Sequence, residues 1–122
     1  MPVIVARKAR YSGTVTPSAL NAETVVVDIP PQEDDYLVEG YLDLGALSRG
    51  DSVEIREHIA VDGSKFRLFL RAVIDGPAPE PVLRFHTKTL LYDMAYRVTV
   101  VQTAGTPKSF PYRFIVEVLG TI

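Results

Sequence analysis

Residues 52–74, SVEIREHIAVDGSKFRLFLRAVI, decide the fold. On either side of Asp62 and Gly63 the chain alternates apolar and charged side chains, and Asp-Gly favours the positive φ angles of a type I′ hairpin turn. Pairing across that turn sets Val53 opposite Ala72, Ile55 opposite Leu70, Ile59 opposite Phe66 and Val61 opposite Ser64. The other side then carries Glu54 with Arg71, Arg56 with Phe69 and His58 with Arg67. One face is apolar and the other charged, as expected of strands with one side against a core. Glu57, opposite Leu68, breaks the rule and belongs at an edge, a bulge or a polar interface.

The same period-two pattern recurs between clusters of Gly, Pro, Asp and Ser, and predicts strands over residues 6–16, 23–29, 36–44, 52–61, 65–74, 82–88, 96–103 and 110–119. Nine prolines leave few windows long enough for a helix. Residues 46–49 and 89–93 are read as single helical turns, and the stiff segment DGPAPEP, residues 75–81, as a crossing from one sheet to another. A second hairpin is expected to join 96–103 to 110–119. Tyr96, Val98, Val100, Phe110, Tyr112, Phe114, Val116 and Val118 point inward in this reading, and Arg97, Thr99, Arg113 and Glu117 outward. Val101 and Ile115 become apolar neighbours on the outward side, and Pro111, which cannot donate to a ladder, marks an edge. The predicted architecture is an all-β, eight-stranded antiparallel β-sandwich, jelly-roll-like in its connections.

The 122 residues amount to one domain, 1–122, in which residues 1–10 are either an arm or the first strand. A net charge of −2 gives no general attraction to nucleic acid or to an anionic membrane. Cysteine is absent, which excludes disulfides, thiolate metal sites and cysteine nucleophiles. The run Val3, Ile4, Val5, Ala6 is too short for a signal-peptide core or a membrane span, so folding in a cytoplasm is expected.

Motifs that carry chemistry are missing. His58 and His86 lie on different predicted strands with no third ligand indicated, and a zinc site needs three or four. Glu33, Asp34 and Asp35 do not have the spacing of a calcium loop. No serine sits in a Gly-x-Ser-x-Gly elbow, and no glycine-rich phosphate loop occurs. No catalytic residue, metal or cofactor is therefore expected. Lys65, Arg67, Phe69 and Arg71, with Arg56 across the hairpin, form the most basic stretch. Arg interleaved with Phe suits a single-strand nucleic-acid platform, but Glu54 and Glu57 dilute its charge. Nine of the 13 basic residues are Arg, the cation that pairs carboxylates and stacks on rings at protein interfaces.

Four segments, YSGTVT (11–16), GYLDLGALSRGDSVEIRE (40–57), EPVLRFHTK (80–88) and YRVTVVQTAGTPKSFPYRFIVEVL (96–119), give the chain a family likeness. It resembles the small β-sandwich virion proteins of tailed bacterial and archaeal viruses, such as capsid decoration or tail-associated subunits. The resemblance implies a non-enzymatic structural protein of the virion, assembled in the host cytoplasm as a homo-oligomer. Its implied partner is a major capsid or tail protein, with no membrane and no direct nucleic-acid contact. The contact residues expected on this reading are Val3, Ile4, Arg7, Arg56, Arg67, Phe69, Arg71, Arg97, Arg113 and Ile115. The rival readings are a carbohydrate- or ligand-binding module using Tyr36, Tyr41 or Tyr92 with Glu33, Asp34 and Asp35, and a single-strand nucleic-acid binder.

Overall fold

The structure, a computed structural model, describes residues 2–121. Eight strands form it: β1 (Val3–Val15), β2 (Thr24–Ile29), β3 (Tyr36–Asp43), β4 (Ser52–Ala60), β5 (Arg67–Asp75), β6 (Val82–Leu90), β7 (Ala95–Ala104) and β8 (Phe110–Thr121). They make two antiparallel sheets of four, ordered β1-β8-β3-β6 and β2-β7-β4-β5. The fold is an all-β sandwich of eight antiparallel strands, as the alternation predicted. No helix occurs among the described residues, so none is long and apolar enough to cross a membrane.

Inward side chains from both sheets share one core, with Ile29, Tyr36, Leu42, Val53, Tyr96, Val98, Val100, Phe110 and Val116 all fully buried. Gly40 of β3 lies beneath the Phe114 ring, where a Cβ would overlap it, and that ring in turn packs 5.1 Å from Phe85. The two outermost strands at either side of the sandwich meet across the gap: β1 approaches β2, and β6 faces β5. The segment 75–81 does run from one sheet edge, β5, to the other, β6.

Several expectations change. Up to Glu57 the β4–β5 pairing is slipped by two residues, with Val53 opposite Ile74, Ile55 opposite Ala72 and Glu57 opposite Leu70, so these residues keep their faces but change partners; beyond the Phe69 bulge the slip is one residue, with Ile59 opposite Arg67. The turn is longer than a two-residue hairpin: Gly63, rather than Asp62, takes the left-handed conformation (φ 85°) and donates to the Ala60 carbonyl. The Asp62 carboxylate accepts the N–H groups of Ser64 and Lys65, which stabilises the wider loop and holds its carboxyl below the usual range. His58 consequently faces Leu68, not Arg67.

β7 and β8 are not a hairpin. They lie in different sheets, and residues 105–109 carry the chain across the core. Val101 is therefore buried on one sheet while Ile115 lies on the other, so the two are not neighbours on paired strands. Pro111 sits in an internal strand, but at a point where the β3 ladder has already ended at Tyr112 and β1 alone is opposite. Residues 46–49 and 89–93 form no helical turn; Leu47 N–H donates to the Leu44 carbonyl and Met94 N–H to Leu91, both tight turns, and β6 continues through Leu90.

All four edge strands carry a bulge. The extra residue is Ala6 in β1, Val26 in β2 and Phe69 in β5, and in β6 it falls at His86 and Thr87. A bulge interrupts the row of free N–H and C=O groups that another chain could use as a template. Residues 3–10 belong to β1 and pair with β8 of the same chain, which is the first-strand alternative rather than a free arm.

Candidate functional site

The ten residues expected to make contacts fall in four places. Val3, Ile4 and Arg7 lie on edge strand β1, where Arg7 is held by Glu33 at 2.7 Å and by Gln32. Arg67, Phe69 and Arg71 lie on edge strand β5. Arg56 and Arg97 are on the outer face of the β2-β7-β4-β5 sheet, and Arg113 and Ile115 on the outer face of the other sheet. They do not converge on one surface.

The β5 edge is the most apolar exposed element. Leu68, Phe69, Leu70 and Val73 are each more than half exposed, because β5 has a partner on one side only. The Phe69 ring lies 5.7 Å from the Lys88 ammonium, and the bulge at Phe69 shifts the register so that Arg71 lies opposite Arg56 but Arg67 opposite Ile59, which interrupts the regular Arg–Phe alternation expected of a base-stacking row.

Charges on the outer face of β2, β7 and β4 are spent on each other. Arg56 bonds Glu54 and Glu23, and the Glu23 carboxylate also takes the Thr99 hydroxyl at 2.7 Å. That hydroxyl is the main reason the Glu23 carboxyl is held below its usual range, with Arg56 adding to it. His58 Nε2 lies 3.2 Å from the Thr99 hydroxyl and 3.5 Å from Glu23. Arg97 pairs with Asp28 and stacks 3.9 Å over the Phe66 ring. Thr99 is buried here, although alternation alone marks it as outward.

The outer face of β1, β8 and β3 is built differently. Directly paired residues place Arg10, Ile115 and Glu39 in one row and Ser12, Arg113 and Tyr41 in the next. These six side chains line a groove of about 320 Å³. Glu39 binds Arg84 and Thr87 through one oxygen, Oε2. The Arg113 guanidinium makes one bond, from Nη1 to the Tyr112 carbonyl, and among the described residues neither Arg10 nor Arg113 meets a carboxylate. Sequence reasoning named Tyr41, Arg113 and Ile115 but missed Arg10, Ser12 and Glu39. Their outward parity was readable, whereas the β1-β8-β3 order that assembles them was not.

The remaining candidate ligands are dispersed. Tyr36 is fully buried, its hydroxyl donating to the Met94 carbonyl, and so offers no stacking face. Tyr92 is exposed, and its N–H donates to Asp35. Glu33 is taken by Arg7, so the acidic run is tied into its loop. Among the described residues no three His, Asp or Glu side chains gather as metal ligands.

No protein-family model matches the sequence, and no curated protein matches it. Among solved structures, the chain is similar to the subunit of Bacillus endospore appendages, described as disulfide-linked pili. The TM-score is 0.56 at 14% identity, over 95% of this chain and 88% of that one. It is also similar to the VP2 subviral particle of infectious bursal disease virus, with a TM-score of 0.51 at 8% identity, over 93% of this chain and 34% of that one. At such identities the likeness is one of fold: this chain shares its β-sandwich with subunits of two protein assemblies.

Proposed function

We propose that this chain is a non-enzymatic structural subunit of a virion, decorating a capsid or associated with a tail, that works through contacts with its own copies and with a major capsid or tail protein. The observation that carries the reading is the β5 edge, where Leu68, Phe69 and Leu70 are exposed between Arg67 and Arg71, with Val73 exposed just beyond. A contiguous exposed apolar strip rimmed by charge is the ordinary form of a protein interface. The Phe69 bulge disfavours simple strand addition there, so side chains carry the contact. The nesting of the strands, β1 with β8, β2 with β7, β3 with β6 and β4 with β5, supports a jelly-roll reading, a fold used in viral capsids. Fold likeness to pilus and capsid subunits supports a structural role by analogy. The pili are disulfide-linked, and none of these 122 residues is a cysteine, so burial and charge hold the contacts here.

The test is the double variant R67E/R71E. Sedimentation velocity should show the wild-type chain as an oligomer and the variant shifted to monomer, with an unchanged far-UV circular dichroism spectrum. An unaltered sedimentation coefficient would remove β5 from the interface and with it the basis of this reading.

A further inference from the structure

We propose that the groove across β1, β8 and β3 binds a carboxylated saccharide, with Tyr41 as the stacking surface, Arg113 and Arg10 holding the carboxylate, and Ser12 and Glu39 meeting hydroxyls. This surface lies on the sheet that does not contain β5, so it stands or falls independently of the assembly reading.

The pairing fixes the spacing. Arg113 is directly opposite both Ser12 and Tyr41, and Ile115 is opposite both Arg10 and Glu39. Side chains directly opposite stand about 5 Å apart at Cβ, and diagonal ones about 7–8 Å. Arg113 therefore flanks the Tyr41 ring, and Arg10 approaches the same space from the diagonal position. Tyr41 is 46% exposed, which leaves room for the C–H side of a sugar against its ring. A volume of about 320 Å³ suits one or two pyranose rings, at the small end of the usual ligand range.

The charges select the ligand class. Two guanidiniums without a carboxylate partner among the described residues favour an anion, and each can grip a carboxylate with parallel N–H bonds. Glu39 Oε1 has no hydrogen-bond partner among the described residues and is available to accept hydroxyl hydrogens. The same carboxylate repels closely spaced phosphates, and one ring offers no run of stacking sites, which argues against single-stranded nucleic acid. A peptide lying on a sheet face would find the backbone groups beneath it already bonded within the ladder, so its own N–H and C=O groups would go unanswered. A uronic acid supplies the anion, the hydroxyls and the apolar face together.

The experiment is an NMR titration of the full chain with trigalacturonate and with a hyaluronan tetrasaccharide, compared with neutral galactotriose and a single-stranded oligothymidylate. Saturable shifts at Tyr41, Arg113 and Ile115 are expected with at least one uronate, with galactotriose bound about tenfold more weakly or less. R113Q and Y41A should each weaken the uronate about tenfold, a loss of about 1.4 kcal/mol, whereas Y41F, which keeps the ring, retains binding and controls for folding. The proposal is overturned by absence of saturable binding to either uronate, by equal binding of galactotriose, by undiminished affinity in R113Q and Y41A, or by tighter binding of the oligothymidylate.

Discussion

The Lys88 ammonium lies 2.6 Å from a carboxylate oxygen of Glu57, joining an edge strand of one sheet to an inner strand of the other. The Glu57 side chain is 4% exposed and that of Lys88 11%. The same Glu57 oxygen accepts the Tyr96 hydroxyl, and the ammonium also donates to the His86 carbonyl and lies 5.2 Å from the Tyr96 ring. Burial, and then Glu57, push the Tyr96 phenol up. Because the pair is out of water, removing one member costs more than removing both. K88M, which strands the carboxylate, is expected to lower stability by about 3–5 kcal/mol, while the double variant E57Q/K88M, which removes both charges and keeps an acceptor for the Tyr96 hydroxyl, should recover most of that loss. Urea denaturation of the single and double variants measures this. A K88M cost below about 1 kcal/mol would show that the pair is solvated.

Glu57 also marks how far the sequence could be read. Its acidic side chain on an apolar face announced a bulge or polar interface, and the structure puts both there: the β5 bulge begins opposite it and Lys88 meets it. Lys88 was not legible as its partner, because the two are brought together by sheet stacking and not by a ladder. The same gap explains β7 and β8. Tyr96, Val98 and Val100 alternate inward, as do Phe110, Phe114 and Val116, whether the strands pair side by side or face each other across the core. Period-two alternation specifies faces and not neighbours. The eight strands and most core residues follow from faces alone. The groove with Arg10, Ser12 and Glu39 needs the neighbours.

Gly40 and Phe114 are a second coupled pair. A Cβ at Gly40 would overlap the Phe114 ring in a core with no room to move it. G40A should therefore cost about 1–3 kcal/mol by overpacking. In an F114L background, where the ring is gone, the same substitution should cost less, with a coupling energy of about 0.5–3 kcal/mol. Thermal melts of the four proteins check it, and strictly additive costs would mean that the ring is not the obstacle.

Asp51 organises the turn that follows residues 44–50. Its carboxylate accepts the N–H groups of Ser48 and Thr106 and pairs with Lys108 at 3.0 Å. The Ser48 N–H and then the Lys108 ammonium hold this carboxyl below the usual aspartate range. A depressed folded pKa means stability that is present above the unfolded value, about 3.9, and lost as pH falls through the lower folded value. D51N should thus melt below wild type at pH 7, and the difference should narrow steadily below about pH 4. A gap in melting temperature that does not vary with pH would show that shape, and not charge, sets the role of Asp51.

Tyr36 and Tyr96 share the alkaline limit, since both phenols are pushed up by burial, and Tyr36 is the simpler to test. The Tyr36 hydroxyl donates to the Met94 carbonyl at 2.7 Å, and burial pushes the phenol up to about 12 from an ordinary value of 10. The unfolded chain releases this proton first, so the stability tied to it is complete below about pH 10 and drains away as pH climbs toward 12. Replacing Tyr36 with Phe removes one buried hydrogen bond, at a cost of about 0.5–1.5 kcal/mol at neutral pH. It also removes a proton from the alkaline transition, so stability in Y36F should fall less steeply over that interval. Urea midpoints for both proteins at successive pH values, read by circular dichroism, measure the two slopes, and equal slopes would place the alkaline loss elsewhere in the chain.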